Sequence, residues 1–209
     1  MPDVLRQVLI LRHGRSTWNA EHRWQGWLDA PLTEEGLEQA AARARELAHD
    51  GVNPRVLYSS DLGRAARTAE IIAAHLEVPV ITEPGFRERG GGDWQGHTSD
   101  EIEAKWPELF AQWRRGELAA PPNGETDEVM LARFDDALAR ALDHVGRGQL
   151  VIVTHGGLLR TVAMRAGARV DAPMPNLGGF WFAVDGASVL ADPVALPALS
   201  VPTDVPDAE

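Results

Sequence analysis

Two histidines, each followed by glycine and each placed at the end of an apolar run, carry most of the chemical information in this chain. Arg12-His13-Gly14 follows Val8-Leu9-Ile10-Leu11, and His155-Gly156-Gly157 follows Leu150-Val151-Ile152-Val153-Thr154. A guanidinium is a rigid fork of donors matched to phosphate oxygens. An imidazole beside it serves as acid, base or nucleophile near neutral pH. Glycines permit close backbone approach, and a helix amino terminus favours an anion. This combination points to chemistry on a phosphorylated compound. Arg-His-Gly alone would equally cap a strand in solvent; the second histidine at a second strand end tips the balance.

Both runs read as buried strands. In a parallel sheet their carboxyl ends share one edge, where open α/β sheets bind ligands. If the two strands are neighbours, His13 and His155 meet across one small site.

The rest of the chain supplies the expected alternation. Strands are predicted over residues 5–11, 55–59, 78–81 and 150–154, the third near a sheet edge because of Pro79. Helices are predicted from an N-cap at Thr33 to Gly51, from a cap at Asp61 to His75, over 98–116 with Pro107 starting a second piece, over 126–145, and over 157–166. Residues 180–184 and 188–191 are predicted to form a hairpin around Asp185-Gly186. The pattern predicts one domain over residues 1–191, with a mostly parallel central sheet between helices. Residues 192–209 hold several prolines and acids and are expected to form a loose tail. Trp106, Phe110 and Trp113 recur at helical spacing, as core packing or as a lid over the site.

Composition narrows the function. The chain has 209 residues, 44% of them hydrophobic, and a formal net charge of -11. That charge opposes nonspecific nucleic-acid binding. No run of about 18 apolar residues is present, so no membrane helix is expected. The amino terminus lacks the basic and apolar regions of a signal peptide, and a cytoplasmic location is expected. There is no cysteine, so a cysteine phosphatase mechanism is excluded. No His-x-His pair or dense carboxylate cluster offers a metal site, and no cofactor is expected. A Gly-x-Ser-x-Gly turn is also missing, which removes a serine hydrolase.

Further segments make the reading specific. Ser59-Ser60-Asp61-Leu62-Gly63-Arg64, Phe86-Arg87-Glu88-Arg89 with Gly90 to Gly96, and Thr154-His155-Gly156-Gly157 follow Arg12-His13-Gly14 in order. With these four motifs, spread over residues 5 to 165, the chain resembles the histidine phosphatase superfamily, which comprises cofactor-dependent phosphoglycerate mutases and related phosphatases. The resemblance implies a three-layer α/β/α sandwich with its site at the carboxyl edge of the sheet. It implies His13 as nucleophile, Arg12, Arg64 and His155 as the clamp on the phosphoryl oxygens, and Glu88 as proton donor. Asn19, Gln25, Gly26 and Gly156 are expected at the substrate. Arg67, one turn beyond Arg64, either reinforces that pocket or forms a surface ion pair.

Several residues depart from the mutase pattern. Arg15 replaces a glutamate, Trp24-Gln25-Gly26-Trp27 replaces Thr-Gly-Trp, Gly157 replaces an asparagine, and the middle segment lacks a long insertion. Arg114-Arg115 argue the other way, because mutases carry paired arginines there to hold a carboxylate; the same pair is expected at the substrate of a phosphatase whose ester carries a carboxylate, such as a phosphoglycerate derivative. The expected function is a metal-independent phosphomonoesterase acting on a small sugar or glycerate phosphoester. The alternatives are a 2,3-bisphosphoglycerate-dependent phosphoglycerate mutase and, more distantly, a noncatalytic phosphate-binding module. An exposed terminal hairpin would allow a homodimer.

Overall fold

In the computed structural model, which describes residues 6–185, 189–197 and 199, a six-stranded sheet lies between two helical layers. The strands are β1 (Arg6–Arg12), β2 (Leu57–Ser59), β3 (Val80–Thr82), β4 (Gln149–Thr154), β5 (Gly179–Asp185) and β6 (Val189–Ala195), ordered β3-β2-β4-β1-β5-β6. The first four run parallel; β5 and β6 are antiparallel additions on one side. β3 lies at the edge, as the proline predicts.

Side-chain alternation explains the layers. From β1, Val8 and Ile10 join a core with Phe134, Leu138, Leu158 and Val162. These come from α6 (Asp127–Val145) and α7 (Gly156–Arg165). Leu9 and Leu11 face the opposite core, with Leu47, Ala65, Ala69 and Ile72. Those belong to α2 (Glu34–His49) and α3 (Gly63–Leu76). A strand buried on both faces is apolar throughout, which is why β1 and β4 show no polar alternation. Fully burying each such Leu, Ile or Phe contributes about 1.5–3 kcal/mol.

Thr33 caps α2, accepting from the Gly36 N–H, with Glu34 and Glu35 in the first turn. Asp61 does not cap α3. Its carboxylate is held by Arg87 at 2.7 and 2.5 Å, and a bidentate ion pair outcompetes a single cap bond. Asp29, from a distant loop, takes the Gly63 and Arg64 N–H groups instead.

The 98–116 segment divides at Trp106 into α4 (Ser99–Lys105) and α5 (Pro107–Arg114). Proline disfavours helical backbone at the residue before it, and Trp106 is extended in φ at -134°. Trp94, Ile102 and Phe110 form a small separate core there, packed against Trp24 and Trp113. Strand β6 runs through Ala195, four residues into the segment expected as a loose tail, and Leu199 is buried in the core. The backbone there is recruited by pairing with β5 despite Pro193. The rest of that segment, and the tip of the terminal hairpin, lie outside the described residues.

Candidate active site

β1 and β4 are parallel neighbours with Arg12 opposite Thr154, so His13 and His155 leave the sheet side by side. Their ring centroids are 5.2 Å apart, edge to face. Both are buried. The His13 N–H donates to the Thr154 carbonyl at 2.9 Å, and the Asn176 amide donates to the His13 carbonyl at 3.0 Å.

His13 Nδ1 lies 2.7 Å from the Gly14 carbonyl oxygen. A carbonyl only accepts, so Nδ1 carries the proton and Nε2 keeps its lone pair. Burial holds the His13 imidazole well below its usual pKa, with the Arg64 and Arg12 charges adding to the effect. Burial, then Arg64, does the same for His155. Both rings are therefore neutral at pH 7. His155 Nε2 lies 2.8 Å from Ser60 Oγ, while its Nδ1 is buried with no hydrogen-bond partner among the described residues.

Two guanidiniums border the rings. Arg64, in the first turn of α3, points Nε at His13 Nε2 (3.3 Å). It also donates to the Gly26 and Leu28 carbonyls at 2.8 and 2.9 Å. Burial lowers its pKa, opposed by Glu88 and Asp29, and it stays charged. Arg12 donates to the Met174 carbonyl. Gly156 allows this approach: a Cβ there would sit 3.3 Å from Arg12 Nε.

Glu88 sits at the amino end of α7. Its carboxylate accepts the Gly157 and Leu158 N–H groups at the start of α7, both at 2.9 Å, and the Arg89 N–H at 2.8 Å. The Gly157 and Leu158 amides, in the first turn of α7, have no partner inside the helix. Neither flanking guanidinium is hydrogen-bonded to Glu88. Arg87 turns to Asp61 and Arg89 to Asp127, and each lies over a tryptophan, Trp27 and Trp113 respectively.

The four motifs thus converge on one sheet edge. The sequence matches the histidine phosphatase superfamily (branch 1) over residues 8–180. The chain belongs to that superfamily. It is 36% identical over 178 residues to a 2,3-bisphosphoglycerate-dependent phosphoglycerate mutase of Methylobacterium radiotolerans, covering 82% of this chain and 84% of that one. It is 38% identical over 163 residues to a metal-independent phosphoserine phosphatase of Arabidopsis thaliana, covering 76% and 68%. A mycobacterial glucosyl-3-phosphoglycerate phosphatase, solved with VO3, superposes with a TM-score of 0.79 at 29% identity, covering 94% of this chain and 100% of that one. Phosphatases and mutases therefore both stand among the relatives of this superfamily member.

A cavity of about 320 Å³ opens beside Glu88 in this histidine phosphatase fold, with Gln25, Gly26, Glu88 and Gly157 in its wall. Gln25 reaches Ser16 Oγ at 3.0 Å. Asn19 is buried and accepts from the Ser16 N–H, closing a capping box on α1 (Thr17–Ala20). Arg114 and Arg115 do not join the cavity. Both are exposed, and Arg115 pairs with Glu117. They sit at the end of α5, whose buried side is occupied by Phe110. Arg67 forms an exposed pair with Glu70.

Residues without a motif role complete the site. Arg133 of α6 donates to the carbonyls of Gly85, Arg87 and Glu88 at 2.7–2.9 Å and pairs with the buried Glu125 at 2.7 Å. It thereby fixes the Glu88 loop from behind. Ser60 steadies His155, and Trp113, Arg89 and Arg160 line the cavity. An arginine inside an amphipathic helix carries no local signal of such a role. Ser60 lies inside a matched motif and was findable there. Among the described residues no three His, Asp, Glu or Cys side chains gather as metal ligands, and no helix is long and apolar enough to cross a membrane.

Proposed function

We propose that the protein is a metal-independent phosphomonoesterase acting through a phosphohistidine on a small phosphorylated metabolite. The observation that carries this is His13: neutral, with Nδ1–H tied to a backbone carbonyl and its Nε2 lone pair set among cations. His13 Nε2 attacks phosphorus as the bond to the ester oxygen breaks. Glu88 gives that oxygen its proton. Arg12, Arg64 and His155 hold the negative charge spreading over the equatorial oxygens, the task that dominates phosphoryl transfer. For this His155 donates through Nδ1, so its Nε2 accepts from Ser60. Glu88, now a carboxylate, takes a proton from water. The resulting hydroxide attacks phosphorus, the P–N bond breaks, and phosphate leaves with His13 neutral again. Asn19, Gln25, Gly26 and the Gly156 amide border the phosphoryl group and leaving group.

Two observations favour hydrolysis over phosphoryl return. The resemblance sets Gly157 where mutases have an asparagine, and the paired Arg114 and Arg115 are exposed and do not line the cavity. The mutase reading is the second one, favoured by the 36% identity to a bacterial mutase. The test is phosphate release from a panel of sugar, glycerate and amino-acid phosphomonoesters in EDTA, with His13→Ala as control. Release that survives EDTA and vanishes in the variant supports the proposal. Interconversion of 2- and 3-phosphoglycerate that depends on 2,3-bisphosphoglycerate, without net phosphate release, overturns it in favour of the mutase.

A further inference from the structure

We propose that Arg160 selects the leaving group, by pairing with a carboxylate on the part of the substrate that carries the ester oxygen. The inference rests on the phosphomonoesterase reading and assigns its specificity.

The placement follows from helix geometry. Gly157, whose N–H holds Glu88, is in the first turn of α7. Residues three and four positions on share its face, roughly 5–6 Å away between Cβ positions. Those residues are Arg160 and Thr161, and both line the cavity together with Gly157 and Glu88. Arg160, an exposed residue, thus lines the cavity one helical turn beyond Gly157, whose N–H holds the carboxylate that protonates the leaving oxygen. A group that extends from that oxygen past Glu88 enters this space of about 320 Å³.

The charges in the cavity single out Arg160. Its other lining cation, Arg89, is engaged with Asp127 and stacked on Trp113. The lining carboxylate of Asp171 is engaged with Arg169 at 2.9 Å. Arg160 has no carboxylate within ion-pair distance among the described residues. A guanidinium with no carboxylate partner, lining a cavity beside Trp24, Trp113, Gln25 and Thr161, is matched by a planar carboxylate through two parallel hydrogen bonds. This transfers to α7 the carboxylate contact that the sequence suggested for Arg114 and Arg115.

The experiment compares 3-phosphoglycerate with glycerol 3-phosphate, which lacks the carboxylate, in the wild type, Arg160→Ala and Arg160→Lys. The readout is the ratio of kcat/KM for the two esters. Loss of one charge-assisted pair is expected to lower that ratio roughly 10–100-fold in Arg160→Ala. Arg160→Lys should keep part of it, since charge remains and the fork is lost. A ratio unchanged in Arg160→Ala, whether or not both rates fall, overturns the assignment while leaving the phosphatase reading intact. If the wild type releases phosphate from neither ester, that reading fails for these substrates. Calorimetric binding of the two unturned esters then gives the same ratio, and the same change in Arg160→Ala decides the assignment.

Discussion

Glu88 and Gly157 are fitted to each other: the carboxylate accepts the Gly157 N–H at 2.9 Å, and a Cβ on residue 157 would lie 2.8 Å from Glu88 Oε1. A side chain on residue 157 would require the Glu88 carboxylate to shift from its present seat on the amino end of α7. Gly157→Ala and Gly157→Asn are therefore expected to push Glu88 off these amides. Proton transfer by a positioned acid is worth about 10²–10⁴ in rate. A displaced but present Glu88 should cost kcat roughly tenfold to a hundredfold, with KM little changed. Steady-state kinetics beside a thermal melt checks this, because alanine in a helix is no worse than glycine and the fold should hold. Full kcat in both variants would show that the seat is unnecessary.

Arg133→Leu should damage both stability and rate. It would leave the buried Glu125 carboxylate unpaired and free three carbonyls of the Glu88 loop. Breaking a buried pair from one side costs about 3–5 kcal/mol. Denaturant unfolding should place Arg133→Leu in that range. The double variant Arg133→Leu/Glu125→Leu should recover part of the stability and little of the activity, because the loop carbonyls still lack their donor. A loss below about 1 kcal/mol, as for a surface pair, would remove the clamp from the account.

Activity should persist into acid. His13 must be neutral to attack, and burial with Arg64 and Arg12 lowers its pKa well below 6.5. The acid limb of kcat/KM is thus expected below pH 6.5, since protonation of the free enzyme governs that parameter. An acid limb at or above that pH, for a substrate whose own phosphate titration has been allowed for, would contradict the neutral-nucleophile reading.

Stability should move with pH over the same window. Unfolded, each of His13 and His155 takes up a proton near 6.5; folded, each does so only at lower pH. Between those limits the unfolded chain holds more protons, so folding stability falls as pH falls. It is fully present above about 6.5 and falls by about 1.4 kcal/mol per pH unit for each histidine. Urea midpoints at pH 7 and pH 5.5 should differ in the wild type. They should differ less in His13→Asn/His155→Asn. An equal difference in both would assign the pH dependence to the carboxylates.

The strands, the helices and the two histidines were legible in the chain because each depends on local pattern. A strand buried on both faces must be apolar throughout, and a helix must show its period, so β1, β4, α2 and α6 could be read within a residue or two. The matched motifs likewise named His13, Arg12, Arg64, Glu88 and His155, which the fold gathers at one edge. What the chain could not disclose were the choices between partners far apart in sequence. Asp61 had the chemistry of a helix cap, yet Arg87 claimed it and Asp29 took the cap. Arg114 and Arg115 had the chemistry of a carboxylate clamp, yet Phe110 set the buried side of α5 and left them in solvent. Arg133 and Arg160 were two arginines in helices until packing turned one onto the Glu88 loop and set the other at the edge of the cavity. Sequence spacing reports which side chains share a face, whereas the competition among many charged groups for few partners is settled only when the layers close.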